Sequence, residues 1–491
     1  MAGLVGGVAV ASVAAFAATG NVVFGFAPVL VAVVLYAFWV LPLWYSAITF
    51  SFVTLVLSNR PVPLPGDGKG QWAPPLYSVF SLLVDNLNTA TGIDALRFSG
   101  AEVVYVAMVL LVTARVVRGI RIDAAGRLPG ANVLYAALAV SFAGVLLLEV
   151  EGLARGGDFR QSLWQLRQLL WLPVLTGLFS YCLRDLRDLR TIAGLATLAA
   201  CVKVALGLFF MVTVAWPSGY APDVMTGHDD SVLYGSVVAC CCAVWVHHPT
   251  RRWFVRMLVP CAWVVVGIAV NNRRLAFVSL FASLFVLYVM LQGRMRRQIN
   301  RGVLLMLPVF ALYLLAGRNR RSGIFKPAAL VMSVGAQKDA SSKTRDIENY
   351  NLTQTLKPNK ILGTGWGHEY NEVVQAYDIS KAFSQYRYIA HNSVLWLLSI
   401  GGIVGFTMLW MPVPVGVYLA ARSYRFARAP AERVAAATAL GVLVCYVLQA
   451  WGDMGTQSVG ISLLVAWTLA GIGKLARATG AWPGGVQVVN G

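Results

Sequence analysis

The stretch YIAHNSVLWLLSIGGIVGF, residues 388–406, sets a polar His391-Asn392-Ser393 triplet directly before a long apolar run. The run has the character of a helix that crosses a bilayer, for which about 17 to 25 residues suffice. A polar triplet does not belong inside such a helix, but it can begin one. Asn392 or Ser393 can cap the helix by satisfying its orphan N–H groups. Histidine caps poorly by comparison, and its near-neutral pKa suits it to proton transfer, which leaves His391 as a candidate general base. Further along, Gly401 and Gly405 form a small-xxx-small pair for close helix packing.

The same apolar character runs through the whole chain. With 58% hydrophobic and 12% charged residues over 491 positions, there is too little polar surface for a soluble globule. An all-α polytopic integral membrane protein is expected, with fourteen spans near 3–18, 21–38, 42–58, 99–117, 131–149, 164–182, 191–215, 230–247, 256–271, 276–292, 302–316, 390–411, 433–450 and 458–476. Alternate connections are rich in arginine: Arg121 and Arg127, Arg184 to Arg190, Arg251 and Arg252, Arg294 to Arg301, and Arg422 to Arg433. By the positive-inside rule these face the cytoplasm, as do both termini. The net charge of +19 is then mostly topogenic and gives no warrant for nucleic acid. The N-terminus lacks a basic n-region, so its apolar stretch reads as a retained first span. Residues 77–85 are too short to cross and read as interfacial. The seven cysteines lie in or beside apolar runs, without CxxC spacing, and read as inert packing thiols.

Three parts follow: the N-terminal spans in 1–316, one large outer loop in 317–389, and the C-terminal spans with a tail in 390–491. The loop is the long hydrophilic region, and long ordered loops usually carry function. A helix is expected from Lys343 to about Leu356, followed by the glycine-spaced Gly363-Thr364-Gly365-Trp366-Gly367. A nucleotide-loop reading fails, since no strand precedes it in a βαβ context. The string reads instead as a tight turn that lets chain or sugar approach closely. Trp366 and Tyr370 could offer flat faces to a sugar ring or anchor at the interface.

With the cytoplasmic arginines assigned, outward arginines near the membrane stand out. Arg273 and Arg274 occupy a tight outer turn, and Arg155, Arg160 and Arg167 gather at the outer end of the sixth span. Either they snorkel to lipid phosphates, or they converge on a cationic pocket, where the planar guanidinium suits a lipid-linked phosphate or pyrophosphate. At the mouth of the eighth span, MTGHDDSVLYG brings His228, Asp229 and Asp230 together. Helix capping, acceptor contact and divalent-metal binding are the readings, in that order.

Taken in order, Ser342-Lys343-Thr344-Arg345, Ile361-Leu362-Gly363-Thr364-Gly365-Trp366-Gly367 and His391-Asn392-Ser393-Val394-Leu395, entering a helix with Gly401 to Gly405, resemble the O-antigen ligase and Wzy-type O-antigen or exopolysaccharide polymerase superfamily. The motif-bearing likeness covers roughly residues 260–410. It implies a GT-C-type glycosyltransferase fold with a large periplasmic loop, in the bacterial inner membrane. It also implies a metal-independent enzyme without a cofactor, acting at the periplasmic face on an undecaprenyl-pyrophosphate-linked oligosaccharide. By the likeness His391 is the catalytic histidine, Arg345 the loop arginine, and Arg273 or Arg274 the arginine of the outer turn. Arg167 is similar to an earlier arginine of the family. Gly365, Trp366, Gly367 and Asn392 fall in its substrate-facing loop motifs, and Asp229 and Asp230 are candidate acceptor contacts, where the family more often carries asparagine-like residues.

The chemistry fits these residue types. Glycosyl transfer from a pyrophosphate needs a base for the acceptor hydroxyl and positive charge for the leaving diphosphate, and attack opposite the leaving group inverts the anomeric carbon. A polymerase is expected, because fourteen spans exceed the twelve of a typical ligase. A ligase passing the glycan to lipid A core or another acceptor is the first alternative, and a lipid-linked glycan flippase the second. Partners would be membrane lipids and a chain-length regulator and flippase of the same pathway.

Overall fold

Each of the fourteen apolar runs contains a helix. In chain order the helices are α1 (Ala2–Thr19), α2 (Val22–Val40), α3 (Leu43–Leu57), α4 (Gly100–Val117), α5 (Asn132–Ala154), α6 (Phe159–Cys182), α7 (Arg187–Phe210, prolonged by a π turn at Met211–Ala215), α8 (Asp230–His247), α9 (Arg251–Asn271), α10 (Arg274–Met290), α11 (Gly293–Gly317), α12 (Ala340–Leu356), α13 (Ser393–Trp410), α14 (Pro412–Phe426), α15 (Pro430–Gly452) and α16 (Val459–Ala478). The computed structural model describes residues 2–20, 22–40, 42–57, 62–63, 71–72, 81, 83–88, 92, 98–118, 129–219, 225–271, 273–291, 293–317, 325, 328, 340–375 and 385–483. The interfacial segment expected over 77–85 and the basic connection with Arg121 and Arg127 lie wholly or mostly outside these.

Among the described residues nine helical stretches are long and apolar enough to cross a membrane, and shorter apolar helices occupy 6–17, 43–57 and 274–290. The protein is a nearly all-helical, multi-pass membrane protein. One stretch, Ser393–Phe426, is 34 residues long. Straight, it would extend roughly 50 Å, well beyond the ~30 Å hydrocarbon core. It is in fact two helices. The expectation that a basic loop begins after residue 411 is corrected here, since α14 continues past Pro412 and packs against α5, α15 and α16. Proline is tolerated there because it stands at the helix start, where its missing N–H is not needed.

Two groups of helices pack together. In one, α8 lies against α9, α10 and α15; in the other, α6 lies against α5 and α16, with α13 against α5. A large core joins them, in which Phe179 stacks on Trp467 with ring centroids 3.9 Å apart. A second, smaller core of Val145, Leu148, Leu166, Leu169, Leu352, Trp366, Trp396 and Ile400 fastens α12 and the loop after it onto α5, α6 and α13. The candidate site rests on this second core.

The glycine string explains how. α13 is broken at Gly402, whose φ is 56° and ψ −166°. Helical hydrogen bonds lost at such a break must be replaced inside a bilayer. The loop supplies them: Gly365 N–H donates to Ile400 O (2.9 Å), while the N–H groups of Ile403 and Val404 donate to the carbonyls of Lys360 (2.9 Å) and Ile361 (3.1 Å). Gly363, Gly365 and Gly367 all have positive φ, a region costly for side-chain-bearing residues. A Cβ on Gly363 would overlap the backbone of Ile400 and Gly402, one on Gly365 the backbone of Gly152, and one on Gly367 that of Asp158. Of the two approaches the glycines could serve, the structure shows chain meeting chain. Arg155, one of the outward arginines, braces the same turn by donating to Gly363 O (2.9 Å) and pairing with Glu151.

Candidate active site

α13 begins as its sequence suggests. Asn392 is the N-cap, its Oδ1 accepting from Leu395 N–H at 3.1 Å. His391, one residue earlier, is turned away from the helix towards Glu348 of α12. Its backbone N–H donates to Glu348 Oε2 (3.0 Å), and its ring Nδ1 lies 3.3 and 3.2 Å from the two carboxylate oxygens. Glu348 is buried. A buried carboxylate on Nδ1 fixes the imidazole with its proton on that side, leaving Nε2 as the basic nitrogen. Burial alone would pull the histidine pKa down. The hydrogen bond and charge of Glu348, with the charge of Asp453, outweigh this and hold it above the ordinary histidine value.

Arg345 sits one turn before Glu348 on α12. Three-residue spacing puts the two on one helix face. Its Nη1 donates to Gly452 O at 3.0 Å, and its Nη2 lies 3.8 Å from Asp453 Oδ2, just past the end of α15. Asp453 is also paired with His228. Burial would raise the Asp453 carboxyl, but His228, Arg345 and His391 hold it below the usual range.

Arg273 closes the group from the turn between α9 and α10. Its Nη1 lies 2.7 Å from Nδ1 and 3.1 Å from Nε2 of His228, and its Nη2 donates to Thr226 O at 3.2 Å. Buried Asn271 steadies the same loop by accepting from the N–H groups of Met225 (2.9 Å) and Thr226 (2.8 Å). Burial lowers the Arg273 pKa, against the charges of Asp453, Asp230 and Asp229. The neighbouring Arg274 is exposed. The sequence left these two arginines equal; the structure sets Arg273 against His228 and within the field of Arg345.

Other expected site residues stand elsewhere. Arg167 is paired with Glu102, donates to Asn86 (3.1 Å) and lies over the Trp164 ring, so its partners belong to α4 and the segment before it. Trp366 is fully buried, with its Nε1 donating to Val145 O at 3.0 Å, and Tyr370 is buried too. Neither offers a face to a sugar or to the interface. This corrects that expectation, and the cause is the second core, which needs their bulk. Gly365 and Gly367 serve the backbone interlock, where Gly367 N–H donates to Gln165 Oε1 at 2.5 Å.

The His228-Asp229-Asp230 triplet splays to three separate partners. His228 meets Asp453, Asp229 accepts from Ser458 (2.9 Å), and buried Asp230 pairs with Lys203 while accepting from Gly227 N–H at 3.1 Å. The capping reading fails in its expected form, because Asp229 stands at the N-cap without a side-chain capping bond. Among the described residues no three of His, Cys, Asp and Glu converge as a metal site.

Two site residues escaped the sequence reading. Glu348 carried a signal, its three-residue spacing from Arg345 on an expected helix. Asp453, within WGDMG, carried the signal that Arg273 did, a charge in a tight turn between spans.

What the cluster can do follows from its parts. It holds a partly buried imidazole oriented by a carboxylate, with a second carboxylate, Asp453, between Arg345 and His228, and Arg273 against His228. That set accepts a proton at one end and gathers negative charge at the other. No curated protein matches the chain. Residues 224–410 match the Wzy_C family, described as O-antigen ligase, and this range holds His228, Arg273, Arg345, Glu348 and His391 while leaving Arg167 and Asp453 outside. Through that stretch the chain is similar to the O-antigen ligase and Wzy superfamily.

Proposed function

We propose that the protein is a glycosyltransferase that polymerises undecaprenyl-pyrophosphate-linked oligosaccharides into a bacterial surface polysaccharide. On this reading it crosses the inner membrane fourteen times in a GT-C-type fold, with the cluster at the periplasmic face. The observation that carries it is the His391–Glu348 pair set beside Arg345 and Arg273, inside the family-matching stretch. Glu348 holds Nδ1–H of His391. Nε2 takes the proton of an acceptor hydroxyl as that oxygen attacks the anomeric carbon, and the bond to the diphosphate breaks with inversion. Arg273 and Arg345 bind the diphosphate and stabilise the charge it gains. Two guanidiniums supply charge that a metal supplies in many other transferases, so the reaction should run without one.

Purified protein incubated with lipid-linked repeat units alone tests this. A ladder of lengthening products is expected. Strict dependence on a second acceptor lipid would replace polymerase with ligase. Normal product from His391→Gln, correctly inserted, would remove the mechanism altogether, and loss of activity in chelator that Mg²⁺ or Mn²⁺ restores would overturn its independence of metal.

A further inference from the structure

His228 has no part in the scheme above, yet the fold invests in its position. Lys203 neutralises Asp230, which binds Gly227 N–H; Asn271 holds the two residues before that; Asp453 and Arg273 clamp the ring itself. Arg345 and Asp453 stand between the two histidines. His391 responds to the charges of Glu348, Asp453 and Arg345, whereas Asp453 and Arg273 are the groups against His228. The ring is half-exposed, so a ligand can reach it. The site therefore has two imidazole–carboxylate pairs, His391–Glu348 and His228–Asp453, with Arg345 against the carboxylate of the second and Arg273 against its ring.

Resting on the reading of the cluster as a glycosyltransferase site, we propose that His228 is a second catalytic residue, the general acid that protonates the departing diphosphate. If His391 lies at the acceptor hydroxyl and Arg273 at the diphosphate, His228, in contact with Arg273, lies at the leaving group. Asp453 on Nδ1 leaves Nε2–H of the imidazolium as donor. As the anomeric C–O bond breaks, its electron pair stays on the diphosphate oxygen, and the diphosphate takes the His228 proton. His391 meanwhile gains the proton of the acceptor hydroxyl. One proton enters the protein and one leaves, and exchange of each histidine with water restores the start. A terminal phosphate binds its last proton near pH 6, within reach of an imidazolium. Arg273, whose Nη1 lies against both ring nitrogens, turns to the diphosphate when it binds and frees the ring.

The charged groups facing His228 are Asp453 after α15, Arg273 before α10, Asp229 and Asp230 at the start of α8, and Arg345 of α12 through Asp453. His228→Gln should slow transfer on the order of 10²-fold at neutral pH. The ring is half-exposed, so added imidazole should restore part of the rate to His228→Ala. Should that variant fail to insert, His228→Gly carries the same test. A wild-type rate, or a slowed rate that imidazole does not raise, overturns the proposal, the second outcome reducing His228 to a brace for Arg273. His391→Gln run alongside separates the two claims. If it is inactive while His228→Gln is normal, only the general acid falls; if it is active, the glycosyltransferase reading falls first.

Discussion

The glycine string at 363–367 and the His391 end of the same loop both look like active-site sequence, and the structure uses them in opposite ways. The string is a backbone device: three positive-φ glycines admit other chain segments, and main-chain bonds complete a broken helix. The His391 end is a side-chain device, in which His391 meets Glu348 while Arg345 and His228 meet Asp453. A motif made of glycines reports where backbone must come close, and only side chains of the right chemistry report a reaction.

If that division holds, substitutions at the two places should fail differently. His391→Gln should cost about 10²- to 10⁴-fold in transfer with unfolding temperature near wild type, measured on purified protein with lipid-linked donor. Arg273→Ala should cost on the order of 10²- to 10³-fold, as for one lost donor to a charged leaving group, while Arg274→Ala stays near wild type. Equal losses would show that the turn is read wrongly. Gly363→Ala should do the reverse, destabilising by about 3 kcal/mol or more through forced φ and overlap, seen as a lowered melting temperature or aggregation in detergent. Glu348→Gln should reduce transfer on the order of 10²-fold by loosening the base. It should also move the acidic limb of rate against pH: Glu348 raises the His391 pKa, the base works when neutral, and losing the carboxylate therefore shifts that limb to lower pH. Smallest, Arg155→Ala should cost about 1 kcal/mol of stability, one hydrogen bond to Gly363 O, with transfer intact.

Much of this was legible beforehand because its causes are local. Hydropathy located the apolar helices, though α11 begins at Gly293, well before the expected 302, because its first turns are basic, and His391 betrayed itself by being polar where a span begins. Asn392 was readable as a cap. Other features depend on distant partners. Asp453 and Arg345 are more than 100 positions apart, and nothing local says that they meet. Arg167 resembled the other outward arginines until Glu102, on another helix, was seen to hold it. Trp366 suggested a sugar platform because its exposure is set by Trp396 and Leu148, which no local pattern reveals. α14 was missed because its prolines and arginines imitate a loop, and the face it packs is defined only by α5, α15 and α16.

The break in α13 bears finally on how the chain is made. A helix whose carbonyl at Ile400 and amides at Ile403 and Val404 lack partners enters hydrocarbon reluctantly, each orphan group costing several kcal/mol. The segment that satisfies them, residues 360–365, is synthesised first and must lie beside α13 as that helix settles in the bilayer. Biogenesis therefore has an order written into it. The loop seats the helix that follows, and a ribosome-stalled chain ending before residue 393 would hold its glycine string without that partner, open to added protease.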